Sequence, residues 1–203
     1  MINSAPINSA VINSAGAEVR FVDALPVVWV STRYRCYLTG AENGLATDIE
    51  LPISSFQTRL RNDGISSISC VLKGADAYID AIAARDVGLI KIYREYVLSD
   101  GSVSSYLMAK GTFETLDLQS GGRAGTTGTI TAMGNFTPST NETIALTHPT
   151  YYARQSNKRR YRCAINPNLR PGDTALINED SLVVNEIIYV IDVTTATMEI
   201  AEA

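Results

Sequence analysis

Apolar and polar residues alternate along most of the chain, and a two-residue period is the mark of a strand with one buried face. Residues 26–40, PVVWVSTRYRCYLTG, are β-branched and aromatic and alternate around Arg33, Tyr34, Arg35 and Cys36, which is strand chemistry. AENG follows as a turn, and the extended pattern resumes from Ile49 to Leu60, with Pro52 marking an edge or a bulge. Asn62-Asp63-Gly64 reads as a hairpin turn between FQTRLR and ISSISCVLKG. LIKIYREYVL and SYLMAKGTFETLDL flank a turn at Ser99-Asp100-Gly101-Ser102, and a Gly-rich connection (residues 120–128) leads into TGTITAMG.

The period changes once. ADAYIDAIAAR sets Ala77, Ile79, Ile82 and Ala83 on one side and has Gly88 just past its end, predicting a helix from Asp76 to Arg85. Hairpins with one inserted helix predict a mainly β fold, a curved antiparallel sheet or barrel. The prolines and small polar residues of NFTPSTNETIALTHPTYYARQSN predict a connecting loop over 137–158. Short strands then follow over 159–203, with a turn at Arg170-Pro171-Gly172-Asp173. The expected organisation is an arm (1–25), a β domain (26–136), the loop, and C-terminal strands that complete or extend the barrel as a smaller subdomain.

Two shorter patterns stand out. Arg33-Tyr34-Arg35-Cys36 recurs as Arg160-Tyr161-Arg162-Cys163; on a strand the arginines share one face and the Tyr–Cys pair the other. Residues 2–16 read INSAP-INSAV-INSAG, with Ile2, Ile7 and Ile12 in one phase beside Asn3, Asn8 and Asn13. A period of five fits neither strand nor helix, and Asn and Ser favour local side-chain-to-backbone turns. Three pentads bury too little surface to offset their own ordering entropy. The expectation is an arm whose Ile2, Asn3, Ile7, Asn8, Ile12 and Asn13 contact a neighbouring subunit.

Composition narrows the function classes. At 203 residues, with 45% hydrophobic and 19% charged residues and a formal net charge of −4, the chain has ordinary globular composition and no global attraction for nucleic acid. No apolar run approaches the roughly 18–20 residues that span a bilayer, and the start lacks the basic and apolar regions of a signal peptide. Cys36, Cys70 and Cys163 are scattered, as suits small buried side chains in a reducing compartment.

Catalytic and metal chemistry find little support. His148 is the sole histidine, beside Pro149 in a polar stretch, with no GxSxG motif. One His and three dispersed Cys are too few for a zinc or iron–sulfur site. Gly121 to Gly128 lacks the Gly-Lys-Ser/Thr ending of a phosphate loop and enters a strand instead of a helix. The expectation is a non-enzymatic chain with no cofactor and no metal.

One charge pattern is more informative. Tyr151 to Cys163 carries Arg154, Lys158, Arg159, Arg160 and Arg162 and no acid, whereas Asp173 to Ala203 carries seven acidic residues and no basic one. A basic strand meeting an acidic surface, within the chain or between subunits, accounts for both halves, and Arg154, Lys158, Arg159, Arg160 and Arg162 are expected at a subunit interface. Interleaved Tyr151, Tyr152 and Tyr161 leave single-stranded nucleic acid as a lesser reading.

The succession FQTRLR, SISCVLKGADAYIDAIAAR, GLIKIYREYVLSDGS and GTITAMG resembles baseplate hub and tail-tube-like domains of long-tailed, siphovirus-type bacteriophages. The ending RYRCAINPNLRPGDTAL with LVVNEIIYVIDVTTATMEIAEA is similar to closing strands of the same proteins, and INSAPINSA looks like N-terminal segments of minor tail proteins. The resemblance implies an antiparallel split β-barrel flanked by a helix, in a trimeric or hexameric ring around the tail channel. It further implies a virion tail-tip protein, made in the host cytoplasm, that links the tail tube to receptor-binding fibres. Other tail and baseplate proteins would be its partners, with no membrane and no specific nucleic acid. The alternatives are a receptor- or carbohydrate-binding module of the same virion, suggested by ten tyrosines, and a cell-wall enzyme, which the residue inventory disfavours.

Overall fold

A computed structural model describes residues 29–42, 45–85, 88–120, 125–139, 141–146, 149, 151–155, 157–178 and 180–203. These form a mainly β structure whose strands are β1 (Trp29–Glu42), β2 (Leu45–Leu51), β3 (Ile53–Arg61), β4 (Ile65–Lys73), β5 (Leu89–Leu98), β6 (Val103–Ser120) and β7 (Thr126–Asn135). They continue as β8 (Thr143–Leu146), β9 (Tyr151–Gln155), β10 (Lys158–Cys163), β11 (Thr174–Ile177), β12 (Asp180–Ile191) and β13 (Ala196–Glu202). Neighbours run in the order β2-β1-β5-β6-β7-β4-β3-β12-β13-β10-β9. β11 pairs with β12 and, in parallel, with β8. The path is open, with β2 at one end and β9 at the other.

The chain divides into two compact units. Among the described residues the smaller holds 29–33 together with Glu95–Ser105. In it Arg33 Nε meets Glu95 at 2.6 Å, and the predicted Ser-Asp-Gly-Ser turn forms, with Gly101 at φ 82° and the Ser102 amide donating to Asp100 Oδ1.

The larger unit holds Tyr34–Arg94 and Tyr106–Ala203 and contains the core. Alternation does the sorting: β3 turns Phe56, Thr58 and Leu60 inward, and β4 turns Ser66, Ile68, Cys70 and Leu72 inward. Each fully buried Leu or Ile contributes about 1.5–3 kcal/mol. The buried hydroxyls are matched, Thr58 donating to the Ser67 carbonyl at 2.9 Å and Ser66 to that of Lys110 at 3.2 Å. The Asn-Asp-Gly hairpin appears where the sequence places it, with Gly64 at φ 83°.

Pro52 alone separates β2 from β3. β2 pairs with β1 and β3 with β4, so one bent segment supplies both the first and the seventh strand of the path. Proline offers no N–H to a ladder, and a register shift lies beside it, between Ile53 and Ser55.

The helix is shorter than expected. Gly74 is left-handed (φ 61°), Ala75–Tyr78 forms a 3-10 turn, and the α-helix proper, α1, covers Ile79–Ala83. No side chain caps either start, so a segment this short relies on packing. A Cβ at Gly128 would fall 2.8 Å from that of Ala75, and this small pair lets the 3-10 turn lie on β7.

Two further expectations are corrected. The interval 137–158, expected as a loop, contains β8 and β9, because the neighbours β11 and β10 supply pairing that local composition does not announce. The C-terminal strands form no separate subdomain: β12 pairs directly with β3 and belongs to the same compact unit. The arm residues Ile2, Asn3, Ile7, Asn8, Ile12 and Asn13 lie outside the described residues, as does His148.

Candidate functional site

β10 is positioned by β13 on one side and β9 on the other, with Arg162 facing Glu199 and Arg160 facing Ala201. The period of two then divides Lys-Arg-Arg-Tyr-Arg-Cys. Tyr161 and Cys163 are buried, and Arg160 and Arg162 lie on the opposite face, half-exposed. The first Arg-Tyr-Arg-Cys behaves alike: Cys36 is buried, Tyr34 packs edge-on against Phe56, and Arg35 reaches Glu50 at 2.8 Å.

The basic and acidic segments meet within the chain: Arg159, Arg160 and Arg162, expected at a subunit interface, pair with this chain's own carboxylates. Arg159 lies beside Glu202 and forks onto it, Nε to Oε2 at 2.9 Å and Nη2 to Oε1 at 2.6 Å, while its backbone N–H also reaches Oε2. The third guanidinium nitrogen, Nη1, pairs with Asp180, whose other oxygen accepts from the Tyr161 hydroxyl at 2.5 Å. Arg162 pairs with its cross-strand partner Glu199. Arg160 extends over the small Ala201 toward Glu186 on β12, 3.9 Å away, and Arg59 approaches the same carboxylate at 3.2 Å from β3.

These contacts set the electrostatics. Hydrogen bonds and charge from Arg159 lower Glu202 to about 2. The Tyr161 hydroxyl, then Arg159, lowers Asp180. The two carboxylates raise Arg159 in return. The pairs are partly exposed, so they fix register and orientation more than they add stability. Arg154 stands exposed opposite Arg159, and Lys158 is exposed at the β9–β10 turn; neither has an ion-pair partner among the described residues.

The acidic partners Asp180, Glu186, Glu199 and Glu202 were visible only as an acid-rich C-terminal stretch. Their one-to-one matching depends on register, including the bulge between Val184 and Glu186 that resets the phase of β12. Among the described residues no group of three or more His, Cys, Asp or Glu is placed to hold a metal, and no helix is long and apolar enough to cross a membrane. Cys36, Cys70 and Cys163 are buried free thiols; a contact with Cys36, then burial, raises Cys70.

A second feature is a cleft of about 390 Å³ where the β2–β3 bend meets the β12–β13 turn. Its apolar wall comprises Tyr34, Pro52, Ile53, Phe56, Ile191 and Val193. The turn is held by Asp192, whose carboxylate accepts from the Thr194 and Thr195 amides, both at 2.7 Å.

No family model and no curated protein matches the chain. Solved structures do. A component of the type VI secretion system, the E. coli c3393 protein, described as structurally similar to the T4 bacteriophage tail proteins gp27 and gp5, superposes with a TM-score of 0.51 at 6% identity. The match covers 74% of this chain and 73% of that one. The 43 kDa tail protein of prophage MuSo2 from Shewanella oneidensis gives a TM-score of 0.44 at 6% identity, over 84% and 97% of the two chains. The tail protein of Neisseria meningitidis MC58 gives 0.47 at 5%, over 85% and 96%. At 6% identity, what this chain shares with the type VI component is the fold.

Proposed function

We propose that this chain is a non-catalytic structural component of a phage tail-tip baseplate, forming part of a ring or hub around the tail channel and linking the tube to receptor-binding fibres. The observation that carries this reading is the fold shared with the type VI component over 74% of the chain. The β2–β3 segment supports the finer architecture. One bent segment pairing at both ends of a seven-strand run favours curling of that run into a split β-barrel, the shape a ring subunit needs. In this reading the arm (1–25) latches a neighbouring subunit, and exposed Arg154 and Lys158 face an adjacent acidic surface.

A receptor- or carbohydrate-binding module would favour tyrosines clustered at loop tips. Among tyrosines whose burial is described, only Tyr106 is exposed, at 39%, and it lies on a strand. Native mass measurement of the purified protein, with labelling of intact particles, tests the proposal. It expects closed trimers or hexamers and label at the tail tip. A strict monomer absent from particles overturns it.

A further inference from the structure

The cleft at the β2–β3 bend adjoins a margin of the sheet that has no strand partner among the described residues. β12 pairs with β3 only as far as Ile191 opposite Phe56. Ile53 and Ser55 run on past the end of β12, and β2 is itself terminal in the path. An unpaired margin beside an apolar cleft is the geometry of strand addition, in which backbone hydrogen bonds hold a segment and a pocket selects its side chain.

The cleft has a distinct chemistry. Val193 is 78% exposed, a large aliphatic side chain held in solvent by a turn that Asp192 fixes in place. Tyr34, Ile53 and Phe56 form the wall behind it. The polar rim includes Ser55 and Lys73, neither of which has a side-chain partner among the described residues, while the Asp192 carboxylate is occupied by its own turn. The cleft therefore suits an aliphatic side chain followed by a hydrogen-bond acceptor, such as a carboxamide oxygen, within reach of Ser55 and Lys73. A cation would lack a free carboxylate there.

The chain itself carries such a segment. Residues 1–16 contain no charged side chain and present Ile followed by Asn three times, at 2–3, 7–8 and 12–13. At up to about 3.3–3.6 Å per residue, the 28 residues preceding Trp29 have ample reach to another subunit. We propose that this cleft receives the Ile-Asn-Ser-Ala arm of a second copy of the chain. One isoleucine seats against Ile53, Phe56 and Val193, and the following asparagine carboxamide bonds at Ser55 and Lys73. The inference rests on the proposed latch function of the arm and names its receiving site. Three pentads offer the same ligand in three registers, so a single substitution in the arm is buffered.

Cysteine cross-linking in the full-length chain tests this. Cys36, Cys70 and Cys163 are at most 2% exposed and do not compete with surface thiols. Ile7→Cys combined with Val193→Cys, oxidised with diamide, is expected to give disulfide-linked dimers and higher ladders. Their yield should be at least about fivefold that of either single variant, because docking raises the effective thiol concentration. Val193→Asp, at a surface position, should weaken self-association about tenfold by analytical ultracentrifugation. A disulfide confined to monomers overturns the proposal, since the arm then occupies its own cleft. If no cross-link forms and Val193→Asp assembles normally, while deletion of residues 1–16 abolishes assembly, the arm latches elsewhere: the cleft assignment falls and the structural function stands. If that deletion also leaves assembly intact, the arm is no latch and the cleft assignment falls with it, whereas the structural function falls only to a strict monomer absent from particles.

Discussion

Tyr161 and Asp180 are joined by a 2.5 Å hydrogen bond from the phenol to a carboxylate oxygen, with Arg159 on the other oxygen of the same carboxylate. A buried strand residue thereby anchors a half-exposed charge cluster that ties β10 to β12 and β13.

This cluster predicts an acid-sensitive fold. Glu202 falls from 4.5 to about 2 in the folded chain, and Asp180 is lowered from 3.8. A carboxylate depressed by folding contributes stability above its unfolded value and loses it as pH falls through its folded value. Thermal melts should therefore weaken between about pH 4.5 and 2. Glu202→Gln should flatten that limb and lower the melting temperature near pH 7, less so in high salt.

Tyr189 gives the opposite limb. Its hydroxyl is fully buried with no hydrogen-bond partner among the described residues, and burial raises it from 10 to about 12. The folded state favours the neutral phenol, so its contribution is complete below pH 10 and is lost as pH rises toward 12. Tyr189→Phe removes an unsatisfied group and should be neutral or stabilising by up to about 1 kcal/mol. Denaturant melts at pH 7 and 10.5 would check it, the variant losing less at the higher pH.

Gly134 separates steric from conformational cost. A Cβ there would lie 2.4 Å from the Lys110 carbonyl oxygen and 2.8 Å from the Gly111 Cα, both backbone atoms with little freedom to move. Gly134→Ala should cost about 2–4 kcal/mol. At Gly74, left-handed but facing open space, alanine should cost only about 1–2 kcal/mol. Chemical denaturation of the pair would show the ordering.

Asp173 is 1% exposed, and its carboxylate accepts from the backbone amides of Arg170 at 2.7 Å and Glu142 at 3.1 Å. It closes the Arg-Pro-Gly-Asp turn and ties the approach to β8 to that of β11. Asp173→Ala leaves two amides without acceptors and should destabilise by about 2–4 kcal/mol. Asp173→Asn, which keeps one acceptor, should recover part of the loss. Hydrogen exchange at Glu142 and Arg170 would localise the effect.

Local chemistry was readable and long-range matching was not. Both Arg-Tyr-Arg-Cys segments sit on strands with Cys36 and Cys163 inward, as a period of two requires. Asn62-Asp63-Gly64 and Arg170-Pro171-Gly172-Asp173 make the turns their residues dictate. β8 escaped notice because TIAL gains strand character only from parallel pairing with β11, about thirty residues onward. The pairing of Arg159 with Glu202 in place of another acid needs the register of β10 on β13, which no local pattern encodes. The cleft was equally hidden, since its walls come from four separated segments.

Pro52 has a mechanical consequence for the strands it joins. With a single residue between β2 and β3, neither can slide without dragging the other. A slip of one residue would turn Leu51 outward against β1 and, at once, Phe56 and Leu60 outward against β4. Mispairing at either end is thereby penalised twice, and the sheet holds one alignment.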